Sequence, residues 1–388
     1  MNSDSKPELH RIHYLDNLRA LAMLLGIYLH AALAYADPSQ SIWLATDTGA
    51  STAVDASIWL IHLFRMSLFF LLSGYFSSLV LARRGTKSFL VSRLVRIALP
   101  FVLFYPFLLA AMTIVIVFAL SYLTEPKGVM GLIAAAAKNP NAQNNANTLT
   151  TMHLWFLYYL MFFSLIGICL SRIQRFSIDG LLNRPWLMMM APLLLVPGIV
   201  GAGVPLPAPE SFLPTWWPFT FYGLFYFAGW QLYGREEQLD RLSSQIWPIL
   251  VISLIGCAGY YASMPTLDIA ILITPGTSRP LSEQLSSWIL TAYLSVSLTI
   301  TSLLLGKRWL AQRNPLLSFI SDSSYWMYLT HLPLVIFLQT FLIPFNWPLW
   351  LKLLFTIVGT VLPCLATYVV FVRYTPIGWM LHGKRKFP

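Results

Sequence analysis

Residues 97–123 read IALPFVLFYPFLLAAMTIVIVFALSYL, an apolar run without a charged side chain. It is longer than the roughly 20 apolar residues that an α-helix needs to cross a bilayer. Of the 388 residues in the chain, 57% are hydrophobic and only 10% are charged, against about 25% charged residues in ordinary soluble domains. This composition excludes a soluble globular protein and, because hydrophobicity is high, an intrinsically disordered one. It predicts an all-α, polytopic membrane protein.

Polar and Pro- or Gly-rich breaks divide the sequence into ten apolar stretches, each interpreted as a transmembrane helix. They are residues 17–36, 57–82, 97–123, 153–171, 186–203, 216–233, 247–263, 284–305, 316–344 and 347–371. An even number places both termini on the same side of the membrane. The stretches leave no room for a soluble domain, so we expect one integral membrane domain over residues 1–388, with polar tails at 1–14 and 372–388.

The loops between these stretches differ strongly in their content of basic residues. If the N-terminus is cytoplasmic, nearly all loop Lys and Arg residues fall on the inner side, and the outer loops hold only Lys127, Lys138 and Arg279. Basic residues concentrate in the cytoplasmic loops of membrane proteins, so we expect both termini in the cytoplasm. Topology and contact with anionic membrane lipids then explain the net charge of +10, and no nucleic-acid partner is expected.

Two parts of this topology have a second interpretation. The basic start, the first apolar stretch and an Ala-Tyr-Ala sequence ending at Ala36 also resemble a signal peptide, although a signal core would avoid Arg19 and His30. The longest outer loop, residues 124–152 with its Asn-rich part 139–147, is interpreted as a linker, the alternative being a mobile lid.

Ionisable side chains inside apolar stretches are costly and usually mark a functional interior. Arg19 and His30 are eleven residues apart in the first stretch, which is three helical turns plus about 20°. The two side chains therefore share one helix face, with a rise of roughly 16 Å between them. This face would connect the cytoplasmic end of the protein with the outer half of the membrane.

Four further side chains are expected at the depth of His30, in the outer halves of their stretches. They are His62, Arg65, His153 and His331. His62 and Arg65 are neighbours at positions i and i+3 of one helix. We expect these groups to converge on one site; the alternative is that each histidine is a hydrogen-bonded packing residue, or, for His153 beside Trp155, part of an interfacial aromatic belt.

Two other charged residues in apolar stretches have structural interpretations. Lys352 lies one turn inside the outer end of the last stretch, where its ammonium group can snorkel to the interface. Asp322, near the inner end of the ninth stretch, is expected either to cap a helix start together with Ser321 or to pair with a cation. The three cysteines have no spacing that suggests a disulfide or a metal site, so we expect no metal.

Several motifs together resemble the membrane acyltransferase 3 family. In chain order they are Leu15-Asp16-Asn17-Leu18-Arg19 followed by His30, the run from Phe69 to Phe76, Arg93 and Arg96 before Pro100, His153-Leu154-Trp155-Phe156-Leu157, and Tyr328-Leu329-Thr330-His331. Each motif alone is weak, but the ordered set covers most of the chain and is specific. The residues from Tyr14 to His30 and from Ile61 to Met66 look most similar to the branch that succinylates osmoregulated periplasmic glucans.

The resemblance implies an O-acyltransferase of the bacterial inner membrane, which moves an acyl group from cytoplasmic acyl-CoA to a hydroxyl group of an extracytoplasmic glycan. The similar branch implies succinyl-CoA as the donor substrate and a periplasmic glucan as the acceptor. Acetyl transfer to a surface polysaccharide is the alternative within the same enzyme class. A proton-coupled transporter is the alternative from another class, because intramembrane His and Arg residues also form proton relays, but we find no internal repeat that would support it.

Under this interpretation the donor site lies at the inner mouth, where the phosphate groups of acyl-CoA require cations. Its candidates are Arg19, Arg83, Arg84, Arg93 and Arg96. For Arg93 and Arg96 the alternative is a role in topology alone. His153 and Trp155 are expected on the acceptor side. Three further tryptophans are candidates for stacking on sugar rings, namely Trp43, Trp216 and Trp217.

The expected catalytic residues are His30, His331, Arg65 and His62. His30 is the first candidate for the general base, because an imidazole can accept a hydroxyl proton near neutral pH. His331 would orient His30 or donate to the oxyanion. Arg65 would either stabilise the oxyanion or bind the succinyl carboxylate in a forked pair, with His62 orienting it. No G-x-S-x-G motif is present, so we expect direct transfer, with an acyl-His intermediate as the alternative.

Overall fold

The computed structural model of the chain describes residues 12–138, 149–172, 184–264 and 280–383. Outside these ranges lie the Asn-rich segment 139–147 and seven of the loop and tail basic residues on which the predicted topology depends, namely Lys6, Arg11, Arg175, Arg279, Lys384, Arg385 and Lys386. Within the described ranges every regular element is a helix, which confirms the all-α class. Two isolated β-bridges, Ala36 with Ser51 and Thr150 with Ser211, join loop segments.

We number the α-helices in chain order. They are α1 His13–Ala32, α2 Thr52–Arg93, α3 Leu99–Tyr122, α4 Gly128–Lys138, α5 Trp155–Arg172, α6 Pro185–Met190, α7 Val196–Ala202, α8 Trp217–Leu232, α9 Glu237–Arg241, α10 Ile246–Ser263, α11 Leu281–Trp309, α12 Pro315–Leu342, α13 Leu349–Thr367 and α14 Pro376–His382. Each of the ten predicted stretches contains helix. In the part of the chain that is described, seven helical segments are long and apolar enough to cross a membrane.

The predicted stretches and these seven segments differ for identifiable reasons. One segment, Thr52–Tyr122, contains two predicted stretches, because α2 is only kinked between them, at Gly85 (φ 71°, ψ 172°), and a π-helical turn at Leu94–Ala98 then joins it to α3. Between α6 and α7, Ala191–Leu195 forms a 3₁₀ turn, since the prolines in this region cannot donate the backbone hydrogen bonds of a continuous α-helix. Helix α8 is not among the seven segments because it has only 16 residues, fewer than the roughly 20 that a bilayer crossing needs.

Helices α2 and α8 form the most extensive helix pair, and two glycines make it possible. A Cβ atom on Gly74 would lie 1.8 Å from the carbonyl oxygen of Tyr226, and one on Gly229 would lie 1.8 Å from that of Leu71. Any side chain at either position would force the helices apart. Small residues allow such close backbone approach between membrane helices, where dispersion contacts rather than the hydrophobic effect drive association.

Helix α1 lies inside the bundle, where it contacts α2, α11, α12 and α13. Its longest interface is with α12. Arg19 reaches Ser321 of α12, and the His30 ring contacts the His331 ring of the same helix. Arg19 and His30 therefore face one partner helix, as their spacing predicts, and this first apolar stretch belongs to the folded core.

The loop of residues 36–51, which we call the α1–α2 loop, is tied to α13 and α2 by buried polar contacts. Asp47 forms an ion pair with Lys352 of α13, with 2.6 Å between Oδ2 and Nζ. Asp55, in the first turn of α2, accepts hydrogen bonds from the Ser39 amide (3.2 Å) and the Tyr261 hydroxyl of α10 (2.9 Å). These contacts give the loop a fixed position over the end of α1.

The expectation for Lys352 is wrong, and of the two alternatives for Asp322 the helix cap is wrong, so that its pairing with a cation stays a prediction. Lys352 does not snorkel, because its side chain is only 3% exposed and turns inward to Asp47. Asp322 does not cap a helix, because α12 begins earlier, at Pro315, and the Asn314 side chain caps it by accepting a hydrogen bond from the Leu317 amide (3.0 Å).

Candidate active site

Three histidines from different parts of the chain lie in ring contact. His30 is in the last turn of α1, His331 is in α12, and His153 is in the 3₁₀ turn Met152–Leu154 before α5. The ring centroids of His30 and His331 are 5.3 Å apart, and those of His153 and His331 are 5.5 Å apart. The predicted convergence of these residues is therefore present, with His331 between the other two.

The protein holds the His331 ring through one nitrogen. Nδ1 lies 3.0 Å from the carbonyl oxygen of Met327 and 2.9 Å from that of Tyr328. Both partners only accept hydrogen bonds, so the network assigns the proton of neutral His331 to Nδ1. The other nitrogen, Nε2, is then left as an acceptor.

The His153 ring is held by a carbonyl group that a proline makes available. Pro333 has no amide proton, so the helical partner of the Leu329 carbonyl is missing. This oxygen lies 3.3 Å from Nε2 of His153, which assigns the proton of neutral His153 to Nε2 and leaves Nδ1 free. The Tyr328 hydroxyl donates to the His153 carbonyl oxygen at 2.5 Å, so α12 fixes both the backbone and the ring of this histidine.

The His30 ring is held differently. It stacks on the indole of Trp43, with 5.6 Å between centroids and an interplanar angle of 22°. In the described ranges its Nδ1 has no hydrogen-bond partner. His30 is partly exposed, whereas His331 and His153 are 2% and 7% exposed. As a residue, His30 is therefore the most exposed of the three, although its Nδ1 atom is buried.

Arg65 approaches the same region from α2. A Cβ atom on Gly26 would lie 2.5 Å from Nη1 of Arg65, and Gly26 is one helical turn before His30. The Arg65 guanidinium therefore lies directly against α1, and its Nε is buried without a hydrogen-bond partner. No carboxylate of the described ranges forms an ion pair with it. An unpaired buried cation is costly, which makes an anionic ligand the expected partner.

His62 is one turn from Arg65 on α2, but protein groups already hold its ring. Its Nε2 lies 2.8 Å from the carbonyl oxygen of Leu206, and the ring meets Trp59 edge-on with 5.2 Å between centroids. The loop that supplies Leu206 also supplies the Glu210 carbonyl oxygen to the Thr151 amide, next to the His153 turn. Burial raises the pKa of the Glu210 carboxyl group.

Among the basic residues predicted at the inner mouth, the structure separates two groups. Arg84 and Arg96 line an open cavity of about 400 Å³, together with Lys87, Ser88, Ser92 and Trp379. The Arg93 guanidinium instead lies over the Phe89 ring, 4.7 Å from its centroid. Arg83 is exposed and is not among the lining residues.

Arg19 lies apart from this cavity. Its Nη2 donates to the Ser321 hydroxyl (2.7 Å) and carbonyl (3.2 Å) groups and lies 3.4 Å from Asp16. Its guanidinium is also 5.9 Å from the centroid of the Phe76 ring. These contacts join α1 to α12 and α2 about three helical turns before His30.

Two of the four predicted acceptor-side tryptophans face the protein interior. Trp155 is 7% exposed and packs against Tyr222 at 5.5 Å, and Trp217 is 5% exposed. Neither ring is available for stacking on a sugar from solvent. Trp216 is 56% exposed, and Trp43 is partly exposed, with one face against His30.

The sequence analysis overlooked some residues that contact the site. Lys87 and Trp379 line the basic cavity, and Gln339 bonds to both Trp43 and the backbone of His30. Gln339 lies eight residues after His331, about two turns along α12, inside an apolar stretch. A polar amide inside an apolar stretch is the signal in the sequence that indicates this residue.

Comparison with known proteins agrees with the resemblance to the acyltransferase 3 family that the sequence motifs indicate. The sequence profile of the family described as "Acyltransferase domain" matches residues 12–369. Among curated proteins, "Glucans biosynthesis protein C" of Shigella dysenteriae serotype 1 (strain Sd197) is 24% identical, covering 96% of this chain and 95% of its own length. The protein of the same name from Escherichia coli (strain K12) is 23% identical with the same coverage. No solved structure is significantly similar to this chain.

Proposed function

Because the chain belongs to the acyltransferase 3 family, which it matches over residues 12–369, we propose that it is a membrane O-acyltransferase that modifies a periplasmic glucan. The single observation that carries this proposal is the contact of three imidazole rings beside the unpaired Arg65 guanidinium inside a helical bundle. The names of the two relatives support a glucan as the acceptor.

The proposed topology has ten membrane crossings in one domain over residues 1–388. Both termini, with the tails 1–14 and 372–388, lie in the cytoplasm, and the membrane is the bacterial inner membrane. Seven long apolar segments, one of which holds two predicted crossings, support this arrangement. Two shorter helical regions, 185–202 and Trp217–Leu232, supply the remaining crossings.

The proposed donor is a cytoplasmic acyl-CoA, with succinyl-CoA favoured. Its phosphate groups would bind in the basic cavity, where Arg84, Lys87 and Arg96 supply positive charge. Arginine forms forked, charge-assisted hydrogen bonds with phosphate oxygens. The pantetheine arm would lead from this cavity towards His30; it was expected to run along the α1 face between Arg19 and His30, but that face packs against α12.

In the proposed reaction the glucan hydroxyl oxygen attacks the thioester carbonyl carbon of the donor. The hydroxyl proton moves to a ring nitrogen of His30, and the carbonyl oxygen becomes the tetrahedral oxyanion. Collapse of this intermediate breaks the C–S bond, and the sulfur leaves with the proton that His30 returns. General base catalysis of this kind contributes about 10²- to 10⁴-fold in rate. His331 of α12, whose ring contacts the His30 ring, orients His30. His153 borders the acceptor side.

Arg65 is proposed to select a succinyl group by binding its free carboxylate. Its Nε atom is buried, and no carboxylate of the described ranges pairs with it, whereas a succinyl donor brings a carboxylate that matches its forked donors. An acetyl group has no such carboxylate, so in acetyl transfer Arg65 would only stabilise the oxyanion. His62 lies one turn away on the same helix and borders this carboxylate site.

Two measurements test the proposed function. Mass spectrometry of periplasmic glucans from cells with and without the protein should show a loss of succinyl substituents in its absence. The purified protein, reconstituted with succinyl-CoA or acetyl-CoA and unsubstituted glucan, should add succinyl groups faster. Loss of acetyl substituents in the cells and faster acetyl transfer in vitro would establish the alternative donor, and unchanged glucans with no transfer in vitro would refute the function.

A further inference from the structure

A buried amide connects α12 to the His30 site. The Gln339 side chain is 1% exposed, and its Nε2 donates to the carbonyl oxygens of His30 (2.8 Å) and Ala31 (2.9 Å). Both carbonyls are in the last turn of α1, where a helix leaves its carbonyl groups without helical partners. The Gln339 Oε1 accepts a hydrogen bond of 2.9 Å from the Trp43 indole.

The orientation of this amide follows from its partners. The Trp43 indole nitrogen can only donate, so it must face Oε1, and the two backbone carbonyls can only accept, so they must face Nε2. Both amide protons and the amide oxygen are therefore used. A single side chain thus bonds the indole that stacks on the His30 ring and the backbone that carries this ring.

The three imidazoles differ in how their rings are held. His331 and His153 each have one ring nitrogen bonded to a backbone carbonyl. In the described ranges the His30 ring makes no comparable bond, and its Nδ1 is unpartnered. The orientation of the His30 ring therefore depends on its stack with Trp43, whose ring plane is fixed through its indole nitrogen by Gln339.

We propose that Trp43 and Gln339 are positioning residues that hold the His30 imidazole in the orientation required for proton transfer. A general base must come within hydrogen-bond reach of the proton it abstracts, and a displacement of about 1 Å can cost 10²-fold in rate. The indole face also attracts the cationic imidazolium that forms during transfer. The buried Asp47–Lys352 ion pair holds the α1–α2 loop that carries Trp43.

The inference rests on the proposed function, and the experiment keeps the two separable. Purified variants Gln339→Met, Trp43→Leu, Trp43→Phe and the double variant Trp43→Phe/Gln339→Met are assayed for acyl transfer with succinyl-CoA. The control is Trp350→Leu, because Trp350 is 61% exposed on α13. The second readout, which needs no activity, is the rate of His30 modification by diethyl pyrocarbonate, followed by site-resolved mass spectrometry.

We expect Gln339→Met and Trp43→Leu to lower kcat at least tenfold with the donor KM within about twofold, while Trp43→Phe, which keeps the stack, loses less. The double variant should match Gln339→Met alone, because both changes remove the same indole hydrogen bond and coupled residues are not additive. His30 modification should accelerate in Gln339→Met and Trp43→Leu but not in Trp350→Leu.

Unchanged kcat and unchanged His30 modification in these variants would overturn the positioning role. Additive losses in the double variant would also overturn it, since they would mean that Gln339 acts independently of Trp43. If Trp43→Leu fails to fold, Trp43→Phe and the double variant still test the coupling. A parent protein without acyl transfer would count against the proposed function, whereas the modification rates would still test how His30 is held.

Discussion

Nη1 of Arg65 would lie 2.5 Å from a Cβ atom on Gly26, so the Arg65 guanidinium fits against α1 only because residue 26 has no side chain. Gly26 is one turn from His30, and this contact brings a cation from α2 to the histidines of α1 and α12. Filling the space at Gly26 is therefore expected to reduce activity.

Gly26→Ala should displace the flexible end of the Arg65 side chain and lower kcat/KM for succinyl-CoA by roughly tenfold, because a displacement of about 1 Å at a reacting site can cost up to 10²-fold in rate. The measurement is steady-state acyl transfer with the purified variant. Gly259→Ala on α10 is the matched control, because nothing lies within 4 Å of its added Cβ atom. Normal activity in Gly26→Ala would show that Arg65 does not act from this position.

His30→Ala should abolish acyl transfer while the protein remains inserted and folded, because removal of a general base costs about 10²- to 10⁴-fold in rate. Turnover at pH 6 to 8 and detergent-phase size-exclusion profiles provide the comparison. His13→Ala, at the first residue of α1, should keep its activity. Near-normal turnover of His30→Ala over this pH range would assign His30 a structural role.

Arg65→Lys should reduce transfer from succinyl-CoA more than transfer from acetyl-CoA, because a lysine ammonium keeps the charge but cannot form a forked pair with a carboxylate. The ratio of kcat/KM for the two donors is the quantity to measure. Equal losses with both donors would contradict carboxylate recognition and leave Arg65 with the oxyanion.

Arg96→Ala should raise the KM for acyl-CoA by about tenfold, since a hydrogen bond to a charged group contributes about 1.5–3 kcal/mol. The KM for a truncated acyl-pantetheine, which lacks the nucleotide phosphates, should stay the same. Arg93→Ala should have a smaller effect on both donors, because its guanidinium lies over Phe89 and outside the cavity. A parallel rise for acyl-CoA and acyl-pantetheine in Arg96→Ala would argue against phosphate binding.

Lys352→Met should lower the free energy of unfolding by about 3–5 kcal/mol, because it leaves the Asp47 carboxylate buried without its partner. Denaturant titration in detergent micelles measures this change. Lys307→Met is the control, since Lys307 forms an ion pair of the same length, 2.6 Å, with an exposed Asp240 and should cost at most about 1 kcal/mol. Adding Asp47→Asn to Lys352→Met should recover part of the loss.

Membrane helices could be located from the sequence because the bilayer imposes a length and an apolar composition on every crossing. The same constraint made His30, Arg65 and His331 visible, since an ionisable group in an apolar stretch is a costly exception. The shared face of Arg19 and His30 followed from helix periodicity alone. All of these inferences depend on local sequence.

Contacts between distant segments could not be inferred in this way. The sequence places Lys352 near a helix end, where snorkelling is the local solution, but the fold brings Asp47 to it from a loop 305 residues away. Gln339 is an ordinary polar residue in sequence and becomes informative only where its amide meets Trp43 and the end of α1. Likewise, Pro333 indicates an unpaired Leu329 carbonyl, but not that His153 is its partner.

The sequence by itself therefore determined the helical membrane class, the approximate positions of the long apolar helices and the set of ionisable residues within them, because these follow from the cost of placing polar groups in lipid. Only the tertiary structure decided which of these side chains meet, which ring nitrogen each carbonyl holds, and which tryptophans are buried. Those properties depend on how helices distant in sequence pack together, and close approaches such as that of Arg65 to Gly26 exist only after packing.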